Sequence, residues 1–129
     1  MILVDTDILI WHLRGLPQAR DWLRDQRQET AALAISSVTL AEVAGAMRSA
    51  ERRPVTRFLS SLAVLPVTMR EAWQAAEFRR RFHRSHQTIG LADYLIAATA
   101  WTEGLELATL NVKHFPMFGG LTQPFTIAS

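Results

Sequence analysis

The chain has 129 residues, 49% of them apolar, with a formal charge of +2 and no cysteine. That length suits one domain, spanning residues 1–129, with enough apolar material for a core; the absent thiols exclude disulfides, cysteine nucleophiles and cysteine-ligated zinc. No apolar run approaches the roughly 18 residues of a membrane span, and no basic stretch precedes an apolar segment at the N-terminus, so a soluble, cytoplasmic protein is expected.

Ile2-Leu3-Val4 runs directly into Asp5-Thr6-Asp7. A segment apolar on both faces predicts a strand in the middle of a parallel sheet. The acids then fall at its carboxyl tip, the edge at which open α/β sheets bind ligands. Asp7 to Arg14 reads as a short helix with Asp7 as a candidate N-cap. Gly15 and Pro17 break the chain, and Pro17 opens a helix to Gln28 on the spacing of Ala19, Trp22 and Leu23. Ala31 to Ile35 is a second buried strand. Ser36 and Ser37 end it and start a helix from Val38 to about Arg52; Pro54 restarts helix to about Leu62. Ala63 to Val67 is a third strand, which Pro66 confines to an edge or a strand end. Thr68 to about His83 is a long helix, and Gly90 to Glu103 is the most apolar one, with Gly104 as its C-cap. Leu105 to Leu110 is a fourth strand, Asn111 to Phe115 a turn or a single helical turn, and Thr122 to Ile127 a last edge strand. Strands alternating with helices predict the α/β class. The expected architecture is a three-layer α/β/α sandwich with a mostly parallel central sheet of four to five strands, their carboxyl ends at one edge.

Several polar residues sit where a bland core would not place them. Asp93 is the only charge between Gly90 and Trp101, and Ile96, Ala97 and Ala100 share its helix face. Favourable placement in the helix dipole explains a first-turn acid but not one on the apolar stripe. Glu42 lies among Val43, Ala44 and Ala46; Thr39 to Glu42 also matches a capping box, so cap and site both stand as readings. Asn111 follows the fourth strand on the same edge as Asp5, either as a turn former or as an oxygen donor. Oxygen donors carried to one place from separate elements suit a hard divalent cation such as Mg²⁺, which keeps waters and takes a few carboxylates. His12, His83, His86 and His114 are scattered and read as surface or packing residues. All of the 14 basic residues except Lys113 are arginine. That suits phosphate recognition, and a general compositional bias towards arginine explains it equally well.

Four segments together carry a family resemblance: Asp5-Thr6-Asp7, Ser37-Val38-Thr39-Leu40-Ala41-Glu42, Gly90-Leu91-Ala92-Asp93-Tyr94-Leu95-Ile96-Ala97-Ala98-Thr99-Ala100, and Thr109-Leu110-Asn111-Val112-Lys113-His114-Phe115. In this order and spacing the chain resembles PIN-domain proteins, the VapC-type toxins of prokaryotic toxin–antitoxin pairs above all, over essentially its whole length. The resemblance implies a PIN-like fold and an endoribonuclease dependent on Mg²⁺ or Mn²⁺. Asp5, Glu42 and Asp93 match the acidic metal-binding triad, and Asn111 stands where many members have a fourth acid. Asp7 falls where members often carry Asn or Ser, either restoring the missing charge or capping the first helix, and Thr6 and Thr109 are supporting candidates that supply hydroxyls to the site. Metal-assisted hydrolysis leaving 5′-phosphate and 3′-hydroxyl ends is implied, as are an antitoxin partner of the VapB type and a toxin homodimer. Arg79, Arg80, Arg81 and Arg84 are candidates for gripping RNA; Glu77 and Arg81 also form an i, i+4 pair, which suits a solvated face. The alternatives are a catalytically silent PIN-like module that binds RNA or protein, which Asn111 favours, and a phosphatase of the HAD type. The latter is disfavoured by Leu9 where a Thr or Val is wanted and by the late position of Lys113.

Overall fold

The computed structural model describes residues 1–30 and 32–127, excluding the side chain of Thr30. Strand β1, Ile2–Val4, leads into helix α1, Thr6–Leu13, followed by α2, Pro17–Thr30. Strand β2, Leu33–Ser36, leads into α3, Ser37–Ala46; a 3₁₀ turn, Ser49–Glu51, then precedes α4, Arg52–Ser60. Strand β3, Ala63–Leu65, precedes α5, Met69–Phe82, and α6, Leu91–Glu103; strand β4, Glu106–Ala108, is followed by a 3₁₀ turn, Val112–His114. The four strands form one parallel sheet in the order β3-β2-β1-β4, with Leu3 opposite Ala34 on one side and Leu107 on the other.

The alternation of β1 explains the layering. Ile2 and Val4 point to one face, where Ile8, Leu9, Leu23, Val43, Val55 and Leu59 from α1 to α4 close over them. Leu3 points to the other, against Ala75 and Phe78 of α5 and Ile96, Ala97 and Ala100 of α6. Both Leu3 and Val4 are fully buried, as a central strand between two helical layers requires. The result is the expected α/β/α sandwich, with β3 at an edge as Pro66 requires.

Several element boundaries differ from the sequence expectation. The second strand covers Leu33–Ser36 rather than starting at Ala31, which lies outside the described residues. The helix expected to run to Arg52 stops at Ala46. Met47 is extended and packs on the core, and Glu51 accepts a bond from the Arg48 N–H at 2.9 Å, starting a new turn. Pro54 does not open the next helix but lies in its first turn, where a missing N–H leaves nothing unsatisfied. No strand forms over Thr122–Ile127. Gln123 there donates to the Leu110 carbonyl at 2.7 Å and Phe125 packs against Trp22, so side chains rather than a ladder hold the segment. Glu77 pairs with Arg80, at 3.2 Å, and not with Arg81, whose guanidinium lies over the Phe82 ring.

One buried acid is purely architectural. Glu71, 2% exposed, completes the capping box of α5 with Thr68 and also accepts from Arg70 and from Thr102 of α6, each at 2.9 Å. Burial would raise its carboxyl, but these donors override that and hold it down at about 2.

Candidate active site

The carboxyl tip of β1 gathers the first acids. Asp5, 5% exposed, is the N-cap of α1 and accepts from the Thr6 N–H at 2.8 Å; the cap is therefore Asp5 and not Asp7. Its second oxygen accepts from the hydroxyl of Thr109 at 2.7 Å, because β4 pairs with β1 in register and delivers Thr109 beside it. Asp7, in the first turn of α1, accepts from the Leu110 N–H at 3.0 Å and from the Ile8 N–H at 2.8 Å, with the Thr109 hydroxyl 3.4 Å away. Thr109 in turn accepts from the Asn111 N–H at 3.0 Å, which fixes the turn that follows β4.

The other two acids arrive from neighbouring helices. Ser36, at the tip of β2, caps α3 by accepting from the Val38 N–H. Thr39 and Glu42 are thereby inside the helix and no capping box forms between them. Glu42 is exposed, and its Oε1 accepts from the Thr6 hydroxyl at 2.7 Å, while Thr6 also lies 2.9 Å from the buried hydroxyl of Thr39. Asp93, half-buried in the first turn of α6, has its Oδ2 2.9 Å from Nδ1 of His114. The side-chain amide of Asn111 lies 2.9 Å from the same nitrogen, and Nε2 of His114 is 3.3 Å from the Thr88 hydroxyl. Asp5, Asp7, Glu42, Asp93 and Asn111 thus stand along one edge of the sheet. His114 and Thr39 were not singled out by sequence reasoning. The available signal for His114 was its position three residues after Asn111, the reach of one tight helical turn.

The electrostatics at this edge are unbalanced. Burial pushes the Asp5 carboxyl up to about 7, with the charge of Asp7 and, more weakly, that of Asp93 adding to it, against the hydrogen bonds from Thr109 and Thr6. Asp7 is also raised, again chiefly by burial, against the N–H donors of Leu110 and Ile8. Among the described residues no lysine or arginine forms an ion pair with Asp5, Asp7, Glu42 or Asp93. The uncompensated negative charge and the hard oxygen donors fit a divalent cation of the Mg²⁺ kind. As the side chains stand, no three acids or histidines among the described residues are gathered about one point. Glu42 Oε1 is engaged by the Thr6 hydroxyl and Asp93 Oδ2 by His114, so one oxygen of each carboxylate stands outside these bonds. Arg79, Arg80, Arg81 and Arg84, in the last turns of α5 and just beyond, are exposed and make no hydrogen bond or ion pair with these acids.

Comparison with known proteins places this geometry in context. The family model described as PIN domain matches residues 2–116. The chain is 57% identical over 127 residues to "Ribonuclease VapC10" of Mycobacterium tuberculosis, covering 98% of this chain and 95% of that protein. Among solved structures it resembles a "Toxin-antitoxin complex from Klebsiella pneumoniae", with a TM-score of 0.78 and 29% identity, over 97% of this chain and 98% of that one. It also resembles VapBC2 from Rickettsia felis bound to a DNA fragment from their promoter, with a TM-score of 0.77 and 25% identity, over 95% and 97% of the two chains.

Proposed function

The chain belongs to the PIN-domain family, and from that premise we propose that it is an endoribonuclease, the toxin of a toxin–antitoxin pair, dependent on Mg²⁺ or Mn²⁺. The observation that carries this reading is the group of carboxylates at the sheet edge, one of them buried, with no lysine or arginine among the described residues paired to them. Such a group is costly for the fold unless something neutralises it, and RNA hydrolysis needs the neutralising agent at the scissile phosphate.

Asp5, Glu42 and Asp93 would hold the ion, which when bound supplies positive charge to the phosphate and acidifies the attacking water. The chain's own residues do the rest. Thr109 and the Thr6 N–H fix both oxygens of Asp5, and the Thr6 hydroxyl holds Glu42 towards the same edge. Asp7 keeps the turn after β4 against the start of α1 and adds negative charge on a side where Asn111 contributes none. The arginines at the end of α5 would supply contacts to RNA phosphates. An antitoxin of the VapB type would restrain the activity, in keeping with the toxin–antitoxin complexes among the structural neighbours. A homodimer is the expected form of the free toxin.

The test is cleavage of total RNA by the purified chain with Mg²⁺ or Mn²⁺, with EDTA, and with Asp93→Asn. Cleavage that requires the metal and disappears in the variant supports the reading. RNA binding without cleavage under any of these metal conditions overturns it. The variant should likewise abolish growth arrest when the chain is expressed without a partner.

A further inference from the structure

His114 lies outside the acid triad but touches its third member. Its Nδ1 is 2.9 Å from Asp93 Oδ2 and 2.9 Å from Asn111 Nδ2, while Nε2 faces the Thr88 hydroxyl at 3.3 Å. A carboxylate only accepts, so the contact with Asp93 places the ring hydrogen on Nδ1. In the neutral ring Nε2 is then the acceptor and the Thr88 hydroxyl the donor; in the imidazolium Nε2–H donates to that hydroxyl instead. A hydrogen on Nδ1 also requires the Asn111 amide to be turned end for end from its placed orientation, so that its oxygen rather than Nδ2 faces Nδ1, since the nitrogen only donates. The two ends of an amide are nearly identical in shape, and hydrogen bonding decides between them. With the amide so turned, every contact of the ring is satisfied with hydrogen on Nδ1.

This arrangement holds Asp93 at a defined angle. Asp93 is in the first turn of α6, and His114 is in the 3₁₀ turn beyond β4. The Asp93–His114 contact ties the helix start to the strand end that also carries Thr109, the hydrogen-bond donor to Asp5. With Oδ2 committed to Nδ1–H, Oδ1 is the oxygen left to meet an ion. Outer partners of metal-binding carboxylates and imidazoles act in this way, and their loss commonly weakens metal binding 10- to 100-fold.

We infer that His114 is a positioning residue, which through Nδ1–H orients the Asp93 carboxylate for a divalent cation while Asn111 and Thr88 set the ring. The inference rests on the metal-nuclease reading above. It also gives Asn111 a role that needs no fourth charge, as the second acceptor at Nδ1.

The experiment compares wild type with His114→Asn, His114→Gln and His114→Ala, each verified as folded by its thermal melt. The Asn amide nitrogen reproduces the position of Nδ1, and the Gln amide nitrogen that of Nε2. Mn²⁺ affinity is measured on each protein by electron paramagnetic resonance, without RNA. Long-range proton–nitrogen NMR of the metal-free wild type reads the ring tautomer. The expected result is hydrogen on Nδ1, affinity about tenfold weaker for the Ala and Gln variants, and affinity largely kept by the Asn variant. Hydrogen on Nε2 alone overturns the inference, as does equal affinity of the Gln, Ala and wild-type proteins, or a folded Asn variant as weak as Ala. If wild type itself fails to bind Mn²⁺, the metal reading falls and takes this inference with it; the tautomer measurement shows separately whether the Asp93 contact exists.

Discussion

Replacing Asp5 by Asn should make the metal-free protein more stable while removing its activity. Asp5 is 5% exposed, and its carboxyl stands at about 7 rather than 3.8. The folded state therefore holds a proton more tightly than the unfolded one. The folded protein loses stability as pH rises through the window from 3.8 to about 7, and the full penalty is present above it. About three pH units at about 1.4 kcal/mol each set a ceiling of about 4 kcal/mol. The amide forfeits one of the two acceptor oxygens that serve Thr6 and Thr109, which returns about 1 kcal/mol. Relief of Asp7 by loss of its charged neighbour acts in the stabilising direction. A net gain of about 2 kcal/mol at pH 8 corresponds to a melting temperature higher by about 5–10 °C for a chain of this size. The assay is thermal unfolding in EDTA at pH 8 and pH 4, with and without added Mn²⁺. Asn should raise the melting temperature at pH 8, much less at pH 4, and should abolish the further rise that Mn²⁺ gives the wild type. A variant less stable than wild type at pH 8 in EDTA would refute the idea that this carboxylate is held at the fold's expense.

Two further substitutions separate structural from functional polar groups. Glu71→Ala removes the capping box of α5 and the link to Thr102, and should lower stability at neutral pH by about 2–3 kcal/mol, read by denaturant unfolding. Its carboxyl sits at about 2 rather than 4.5, so the stability it provides is complete above 4.5 and is lost as pH falls towards 2. The variant should lack that acid-side decline; an unchanged profile would show that the hydrogen bonds to Glu71 do not govern it. Thr109→Val deletes the hydroxyl that donates to Asp5 and should lower RNA cleavage about tenfold while changing stability by no more than about 1 kcal/mol. Wild-type cleavage in this variant would remove Thr109 from the site.

The capping of α3 illustrates how local and distant interactions divide the evidence. Thr39 and Glu42 have the spacing of a capping box, and from neighbouring residues alone that is a sound reading. The structure starts the helix at Ser37, because Ser36 takes the cap, so Glu42 is free to meet Thr6, 36 positions away in the chain. Likewise the first cap moved from Asp7 to Asp5 because the strand ends at Val4.

The four strands of the sheet, most of the helices, the buried central position of Ile2-Leu3-Val4 and the unusual placing of Asp93 were legible in the sequence, because periodicity and apolar neighbours act over a few residues; the strand expected over Thr122–Ile127 was not, because no ladder forms there. The PIN-domain resemblance was legible too, since it rests on short segments in order. Only the folded chain decided which acid meets which partner. Thr109 reaches Asp5 from 104 positions away because β4 pairs with β1, and His114 reaches Asp93 because the turn after β4 lies against the start of α6. Those meetings depend on strand order and helix docking, which are set by the whole core at once and leave no mark in any single stretch of residues.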